Sequence, residues 1–101
     1  MTDLEALKAA RELLSDKTKW TQRAMARDAE GKEAEPSHPD AVCFCALGAA
    51  ERCGYYGPRL YDAALALDLD GVATTNDDNK LGYDAVLALY DKAIEIEEQD
   101  Q

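Results

Sequence analysis

The residues best suited to chemistry are three cysteines, Cys43, Cys45 and Cys53, and the single histidine, His38. A cysteine nucleophile needs a nearby base to form the thiolate and a third group to orient that base. His38 lies five residues before Cys43, at the predicted start of a helix, whose dipole also favours a thiolate. A cysteine-dependent hydrolase or transferase using Cys45 or Cys43 is therefore one hypothesis, and thiols buried in a core are the alternative.

The same residues give little support to a metal site. The spacing H-x4-C-x-C-x7-C lacks the paired C-x2-C knuckles of zinc sites, and a helix would turn Cys43 and Cys45 to nearly opposite sides. The acidic stretch from Asp68 fails the EF-hand pattern because its glycine comes three residues after the first Asp and residue 79 is Asn. We therefore predict reduced thiols, no metal and no other cofactor.

The charge of the chain argues against one class of partner. Eleven Lys and Arg against 21 Asp and Glu give a net charge of −10, which disfavours direct binding to nucleic acid or to an anionic membrane. Residues 55–101 carry most of the excess, with 3 basic and 11 acidic side chains. This half is either a solvated surface or a negative face that attracts a basic protein.

The candidate contacts for such a partner are seven carboxylates and two tyrosines of a Gly-flanked turn, whose rings could serve as anchors. A self-complementary patch of the tyrosines and the last helix would instead form a homodimer, so both a monomer and a homodimer are open. The candidates are Asp68, Asp70, Asp77, Asp78, Asp84, Asp91, Glu95, Tyr55 and Tyr56.

Local patterns predict how the N-terminal part of a single domain, residues 1–101, is built. Thr2 and Glu5 have the spacing of a capping box, which predicts a helix to about Ser15. The alternation over residues 20–27 and the glycine that follows predict a β-hairpin with residues 32–35. An amphipathic helix over residues 22–30 is the competing interpretation.

The middle of the chain is predicted to be helical. Residues 41–53 are apolar on nearly every side, which predicts a buried central helix that ends at Gly54. Gly48 inside this helix predicts a close approach by another backbone. A third helix is predicted to follow Pro58 and to end near Asp68.

A polar connection then leads to the clearest helix of the chain. Residues 72–75 are predicted to form a short strand that pairs with the hairpin, and Asn76, Asp77 and Asn79 are expected to cap the last helix. The predicted fold is α+β, with about four helices around a buried central helix and one small antiparallel hairpin or sheet. The apolar face of the last helix is formed by Tyr83, Val86, Leu87, Tyr90 and Ile94.

Three motifs together resemble a family of small bacterial and phage proteins of unknown function. They are a C-x-x-G-A helix at residues 45–49, the pair Asn76-Asp77, and a V-L-x-L-x-D-x-A-I helix at residues 86–94. The resemblance covers most of the chain and implies a fold and a phage or mobile-element context, but no activity. In such proteins an aromatic often precedes the Asn-Asp pair and a Thr-His the closing helix. Here Thr75 and Leu81-Gly82 stand there, so the base of a Cys-His-Asn site is missing.

The leading prediction is a small, acidic, non-enzymatic protein that binds a basic surface of another protein. Proteins that bind nucleic acid have basic channels, so we expect a phage-encoded inhibitor of a host defence effector, such as an anti-CRISPR protein. No segment approaches the ~20 apolar residues that span a bilayer, and residues 1–5 lack the layout of a secretory signal. The expected location is therefore the cytoplasm.

Overall fold

The computed structural model describes residues 2–100, which form five α-helices and one three-stranded antiparallel sheet. The fold class is therefore α+β, as predicted. In chain order the described elements are α1 (Asp3–Leu14), a 3₁₀ turn (Lys17–Lys19), β1 (Ala26–Asp28), β2 (Glu33–Ala34), β3 (Ala41–Phe44), α2 (Ala46–Arg52), α3 (Arg59–Ala66), α4 (Val72–Asn76) and α5 (Gly82–Gln99).

Helix α1 begins as predicted. The Thr2 hydroxyl accepts from the Glu5 backbone N–H at 3.1 Å, and the Glu5 carboxylate accepts from the Thr2 backbone N–H at 3.0 Å. This reciprocal capping box satisfies two of the backbone donors that a helix start leaves free. The buried face of α1 consists of Ala6, Leu7, Ala10 and Leu14.

The predicted hairpin is confirmed but is shorter than expected. β1 pairs with β2, with Ala26 opposite Ala34, and Gly31 in the turn has φ +83°. The strand begins only at Ala26, because Arg23 has φ +63° and leaves extended geometry. The competing helix over residues 22–30 is wrong.

The predicted central helix is wrong over its first part. Residues 41–44 form β3, which pairs antiparallel with β1 and places Cys43 opposite Arg27. A short apolar run does not by itself distinguish a helix from a strand. Here residues 41–44 lie beside β1, whose backbone N–H and C=O groups pair with theirs. Because this pairing satisfies the backbone groups of both segments, the run forms a strand. The sheet order is β2-β1-β3.

Helix α2 confirms both glycine predictions. Gly54 has φ +81° and follows the helix in the left-handed conformation. A Cβ added to Gly48 would lie 1.8 Å from the Met25 carbonyl oxygen, so the backbone just before β1 passes directly over α2. Only glycine permits this approach.

The region after α2 contains a second correction. Helix α3 ends at Ala66, and Asp68 turns the chain with φ +57°. Residues 72–75 form most of helix α4, and the prediction of a strand there is wrong. Val72 and Thr75 are both buried, and their spacing of three places them on one helical face. Burial of that face outweighs the β propensity of Val and Thr.

Helix α5 is confirmed as the closing helix and runs along the core. Val86 and Tyr90 of the predicted face are buried, and Leu87 and Ile94 pack against the core from its edge. The Tyr90 hydroxyl donates to the Ala46 carbonyl, which ties α5 to the start of α2. Among the described residues, no helix has the length and apolar character needed to cross a membrane.

Candidate protein-binding surface

Three of the predicted carboxylates meet at one open cavity of about 220 Å³. Asp68 and Asp70 lie between α3 and α4, and Asp78 lies between α4 and α5. None of the described residues that line this cavity is basic. The lining of the cavity is therefore negatively charged, and Lys80 acts on Asp78 from outside the lining. Its other lining residues are Leu69, Thr74, Thr75, Leu81 and Ala85.

Asp78 also stabilises the turn that leads into helix α5. Its carboxylate accepts from the backbone N–H groups of Lys80 at 2.9 Å and Leu81 at 2.8 Å. The hydrogen bonds from Leu81 and Lys80 lower the pKa of Asp78. The prediction that Asn76, Asp77 and Asn79 cap α5 is wrong, because Asp78 serves the turn into the helix.

Asn76 instead lies in the core, where it is 1% exposed. Its Oδ1 accepts from Trp20 Nε1 at 2.7 Å and from the Ala46 backbone N–H at 3.0 Å. Its Nδ2 donates to the Thr21 carbonyl at 3.0 Å and to Asp77 Oδ1 at 3.1 Å. Every polar atom of this side chain is engaged, so Asn76 joins α4 to α2 and to the segment before β1.

Asp77 is engaged in the same cluster. Its carboxylate accepts from the Arg23 backbone N–H at 2.9 Å, in addition to the bond from Asn76. Arg23 has positive φ, and the hydrogen bond from its backbone N–H to Asp77 helps to hold it in that conformation. Asp77 therefore contributes to the fold, and it also lines a cavity together with Cys45 and Ala73.

The remaining predicted acids lie along the exposed face of α5, spaced at seven and four residues. Asp91 accepts from Arg11 Nε at 2.9 Å, and Glu95 lies 3.3 Å from Lys92 Nζ. Asp84 has no basic partner among the described side chains and adjoins Ala85, which lines the first cavity. Four of the predicted acids are thus exposed and form no ion pair in the described chain, and we call them the acidic rim: Asp68, Asp70 and Asp78, which line the first cavity, and Asp84, which does not.

The two candidate tyrosines have different environments. Tyr55 is 2% exposed, and its hydroxyl accepts from the Arg59 backbone N–H at 2.9 Å. It belongs to the core and presents no ring to a partner. Tyr56 is 78% exposed, as expected for an aromatic anchor.

A second surface was not predicted from the sequence. Two adjoining cavities, of about 250 and 140 Å³, share Met25 and Leu47 as lining residues. Tyr56 and Tyr61 line the smaller cavity, and Ala73 lines the larger. We call this surface the Met25 groove. It is assembled from four separate segments of the chain, and no local pattern marks it.

Met25 also lines a third open cavity, of about 540 Å³, whose lining contains four carboxylates and His38. We call the four carboxylates of this lining, Asp28, Glu33, Glu35 and Asp40, the acidic corner. A local charge count could have found it, because residues 28–40 hold five acidic side chains and one Lys. A charge count over the whole N-terminal half does not reveal this cluster, because the basic residues that precede it offset its negative charge.

The cysteines are free thiols, of which Cys45 is buried and the other two are half-buried. Cys45 is the N-cap of α2, and its sulfur accepts from the Gly48 backbone N–H at 3.3 Å. Burial raises the pKa of Cys45, which opposes thiolate formation. His38 is exposed, and its Nδ1 accepts from the Asp40 backbone N–H at 3.0 Å. Within residues 2–100, no group of His, Cys, Asp or Glu has a geometry that could hold a metal ion.

Comparison with known proteins and protein families places the chain in a family. No curated protein and no solved structure matches the chain. A family of unknown function, DUF6197, matches residues 1–96. The match covers nearly the whole sequence and agrees with the resemblance to an uncharacterised family drawn from the three motifs. The chain therefore belongs to the family of unknown function DUF6197.

Proposed function

We propose that this chain is a protein-binding protein whose acidic rim occupies a basic surface on its partner. The observation that supports this most is the cavity that Asp68, Asp70 and Asp78 line, because no basic residue lies in its lining. Carboxylates that lie close together make the local electrostatic potential more negative, and this potential attracts a cationic surface. The net charge of −10 adds long-range steering of the encounter.

The partner class follows from the chemistry of the surface. A protein that binds nucleic acid has Lys and Arg arranged to meet phosphates, and a rigid set of carboxylates is complementary to the same groups. We therefore propose an inhibitor that competes with nucleic acid. Its proposed origin is a phage, and its proposed target is a host defence effector such as a CRISPR nuclease. The motif resemblance to phage proteins supports this context.

The environment of the cysteines favours binding over catalysis. The Cys45 thiol is buried with a raised pKa, and His38 has its Nδ1 engaged by a backbone N–H. A catalytic thiolate would react rapidly with a disulfide reagent near neutral pH. We expect Cys45 to react slowly in the folded protein and fast only in denaturant, as followed by mass spectrometry. Fast native labelling of Cys45 would instead favour the cysteine-enzyme alternative.

The binding test is a competition assay with a purified CRISPR effector, its guide RNA and labelled target DNA. The rim variant Asp68→Asn/Asp70→Asn/Asp84→Asn keeps Asp78, because that carboxylate stabilises the turn that leads into α5. The matched control, Asp91→Asn/Glu95→Gln/Glu98→Gln, removes the same number of charges from carboxylates that already pair with basic side chains. The two variants therefore have equal net charge and differ only in the place where the charge is lost.

We expect wild-type protein to displace the DNA and the rim variant to need about tenfold more protein, equivalent to about 1.4 kcal/mol. The control is expected to act like wild type, since exposed ion pairs contribute little. Equal weakening of both variants would mean that total charge acts, and would overturn the role of the rim. Failure of wild type to displace DNA would overturn the inhibitor assignment.

A further inference from the structure

We propose that the Met25 groove docks a segment of a partner protein in which a large apolar side chain is flanked by Lys or Arg. This surface is separate from the acidic rim, and the inference does not rest on the proposed function.

The groove has an apolar lining that no other part of the described chain covers. Tyr56 is 78% and Tyr61 is 53% exposed, and both line the same cavity as Leu47 and Met25. Exposed tyrosines around an apolar recess are typical of protein-binding surfaces, because the ring buries area at low entropic cost. The two cavities, of about 250 and 140 Å³, are small beside the ~300–1,000 Å³ of small-molecule sites. Each has room for one or two side chains of a protein segment.

The floor of the groove is rigid, whereas one of its walls can adapt. The Met25 carbonyl accepts from the Cys45 backbone N–H at 3.1 Å and lies against Gly48. The backbone at this point is therefore fixed between β1 and α2. The Met25 side chain is unbranched, and its sulfur lies 3.8 Å from the Cys45 sulfur. A thioether of this kind repacks easily around apolar groups of different shape.

Charge complementarity identifies the occupant as basic. The acidic corner adjoins the groove at Met25, which lines both, and it contributes four carboxylates beside His38. Glu51 lines the cavity of the tyrosines, and Asp77 lines the cavity of Cys45. Arg23 is the one basic residue among those that line the two groove cavities in the described chain. A segment with Lys or Arg on both sides of an apolar residue would satisfy the carboxylates and fill the apolar recess together.

The experiment begins with selection from a display library of random peptides against the folded protein. A parallel selection against Tyr56→Ala/Tyr61→Ala provides the comparison. Both tyrosines are exposed, so this variant is expected to fold, and circular dichroism checks that it does. We expect the wild type to enrich peptides with a large apolar residue between Lys or Arg residues, and the variant to lose that enrichment. Absence of enrichment over the variant, or enrichment of acidic peptides, would overturn the proposal.

A selected peptide is then titrated into protein labelled at its methionine and leucine methyl groups, with NMR and fluorescence anisotropy as readouts. We expect saturable shifts of the Met25 and Leu47 methyl signals, and affinity about tenfold weaker for Tyr56→Ala/Tyr61→Ala. The matched control is Leu65→Ala, which is 79% exposed on the same helix as Tyr61 but outside the groove. It is expected to bind as wild type does. An equal loss in Leu65→Ala, or shifts confined to the acidic rim, would contradict the proposal.

Two further arms separate this inference from the proposed function. A peptide of the same charge with Ser in place of its apolar residue is expected to bind much more weakly, and equal binding would show that charge alone acts. The rim variant Asp68→Asn/Asp70→Asn/Asp84→Asn is expected to bind the selected peptide like wild type. Loss of peptide binding in that variant would move the site to the rim, whereas failure of DNA competition leaves the groove result unaffected.

Discussion

Asn76 and Asp78 of the acidic rim are two residues apart in sequence and have different environments. Asn76 is buried with all of its polar atoms bonded, and it links Trp20, Ala46 and Thr21. Asp78 is exposed at the edge of an open cavity with two other carboxylates. The residue types alone would have grouped them as one polar loop. Burial and hydrogen-bond partners show that the Asn76 side chain holds the fold together, whereas Asp78 is accessible to a partner.

The largest expected loss of stability comes from removing the buried side chain of Asn76. Asn76→Ala leaves Trp20 Nε1 and the Ala46 backbone N–H without their acceptor. Each buried donor left unsatisfied costs about 1–3 kcal/mol, so we expect the free energy of unfolding to fall by about 3 kcal/mol. Urea denaturation measures the change. Asn79→Ala is the matched control, since Asn79 is exposed and accepts only from Arg23 Nη2, and its effect should stay within about 0.5 kcal/mol. Similar losses in both variants would refute the structural role of Asn76.

The second effect tests the close contact that shapes both the core and the Met25 groove. In Gly48→Ala the new Cβ would lie 1.8 Å from the Met25 carbonyl oxygen, a backbone atom that cannot rotate away. Alanine favours a helix by about 1 kcal/mol over glycine, but overpacking costs about 1–3 kcal/mol and the segment must move. We expect a net loss of about 1 kcal/mol, measured by denaturation, with a shifted Met25 methyl signal. A variant as stable as wild type would show that the contact is looser than the structure has it.

The sequence predicted the elements whose signals are local. The capping box of Thr2 and Glu5 and the period of α5 depend only on residues three or four apart, and both helices are confirmed. β3 was missed because its identity depends on β1 as a partner, and α4 because burial of Val72 and Thr75 outweighs their β propensity.

The acids of the rim were among the predicted contacts because charge can be counted along the chain. The count could not tell Asp84 from Asp91, since the Arg11 partner of Asp91 is 80 residues away in sequence. The Met25 groove is not visible in the sequence at all. Its walls come from residues near 25, 47, 56–61 and 73, which meet only in the folded chain.

Loss of exposed charges from the acidic rim is expected to weaken binding without lowering the stability of the fold. Asp68→Asn/Asp70→Asn removes two neighbouring charges that have no basic partner in the described chain. Relief of repulsion should leave the free energy of unfolding unchanged or raise it, within about 0.5 kcal/mol. Thermal unfolding at low and high salt measures this, and any gain should be lost at high salt because repulsion is screened. A clear loss of stability would show that these residues hold the fold, and would remove them from the rim.

The smallest effect concerns Asp78, which has a structural role and also belongs to the acidic rim. Its carboxylate stabilises the turn that leads into α5, and the residue lines the cavity of the rim. Backbone hydrogen bonds from Leu81 and Lys80 lower its pKa in the folded state. A lowered folded pKa means that the carboxylate stabilises the fold above its unfolded pKa, and that this contribution is lost as the pH falls through the folded value. Asp78→Asn keeps an oxygen that can accept both bonds but cannot titrate. We expect a small loss of melting temperature in this variant near pH 7 that shrinks as the pH falls below the ordinary Asp pKa of about 3.9, and that disappears once the wild-type residue is also protonated in the folded state. High salt should preserve the difference, since hydrogen bonds and not distant charges cause it. A difference that grows towards acid would reverse the sign and contradict the assignment.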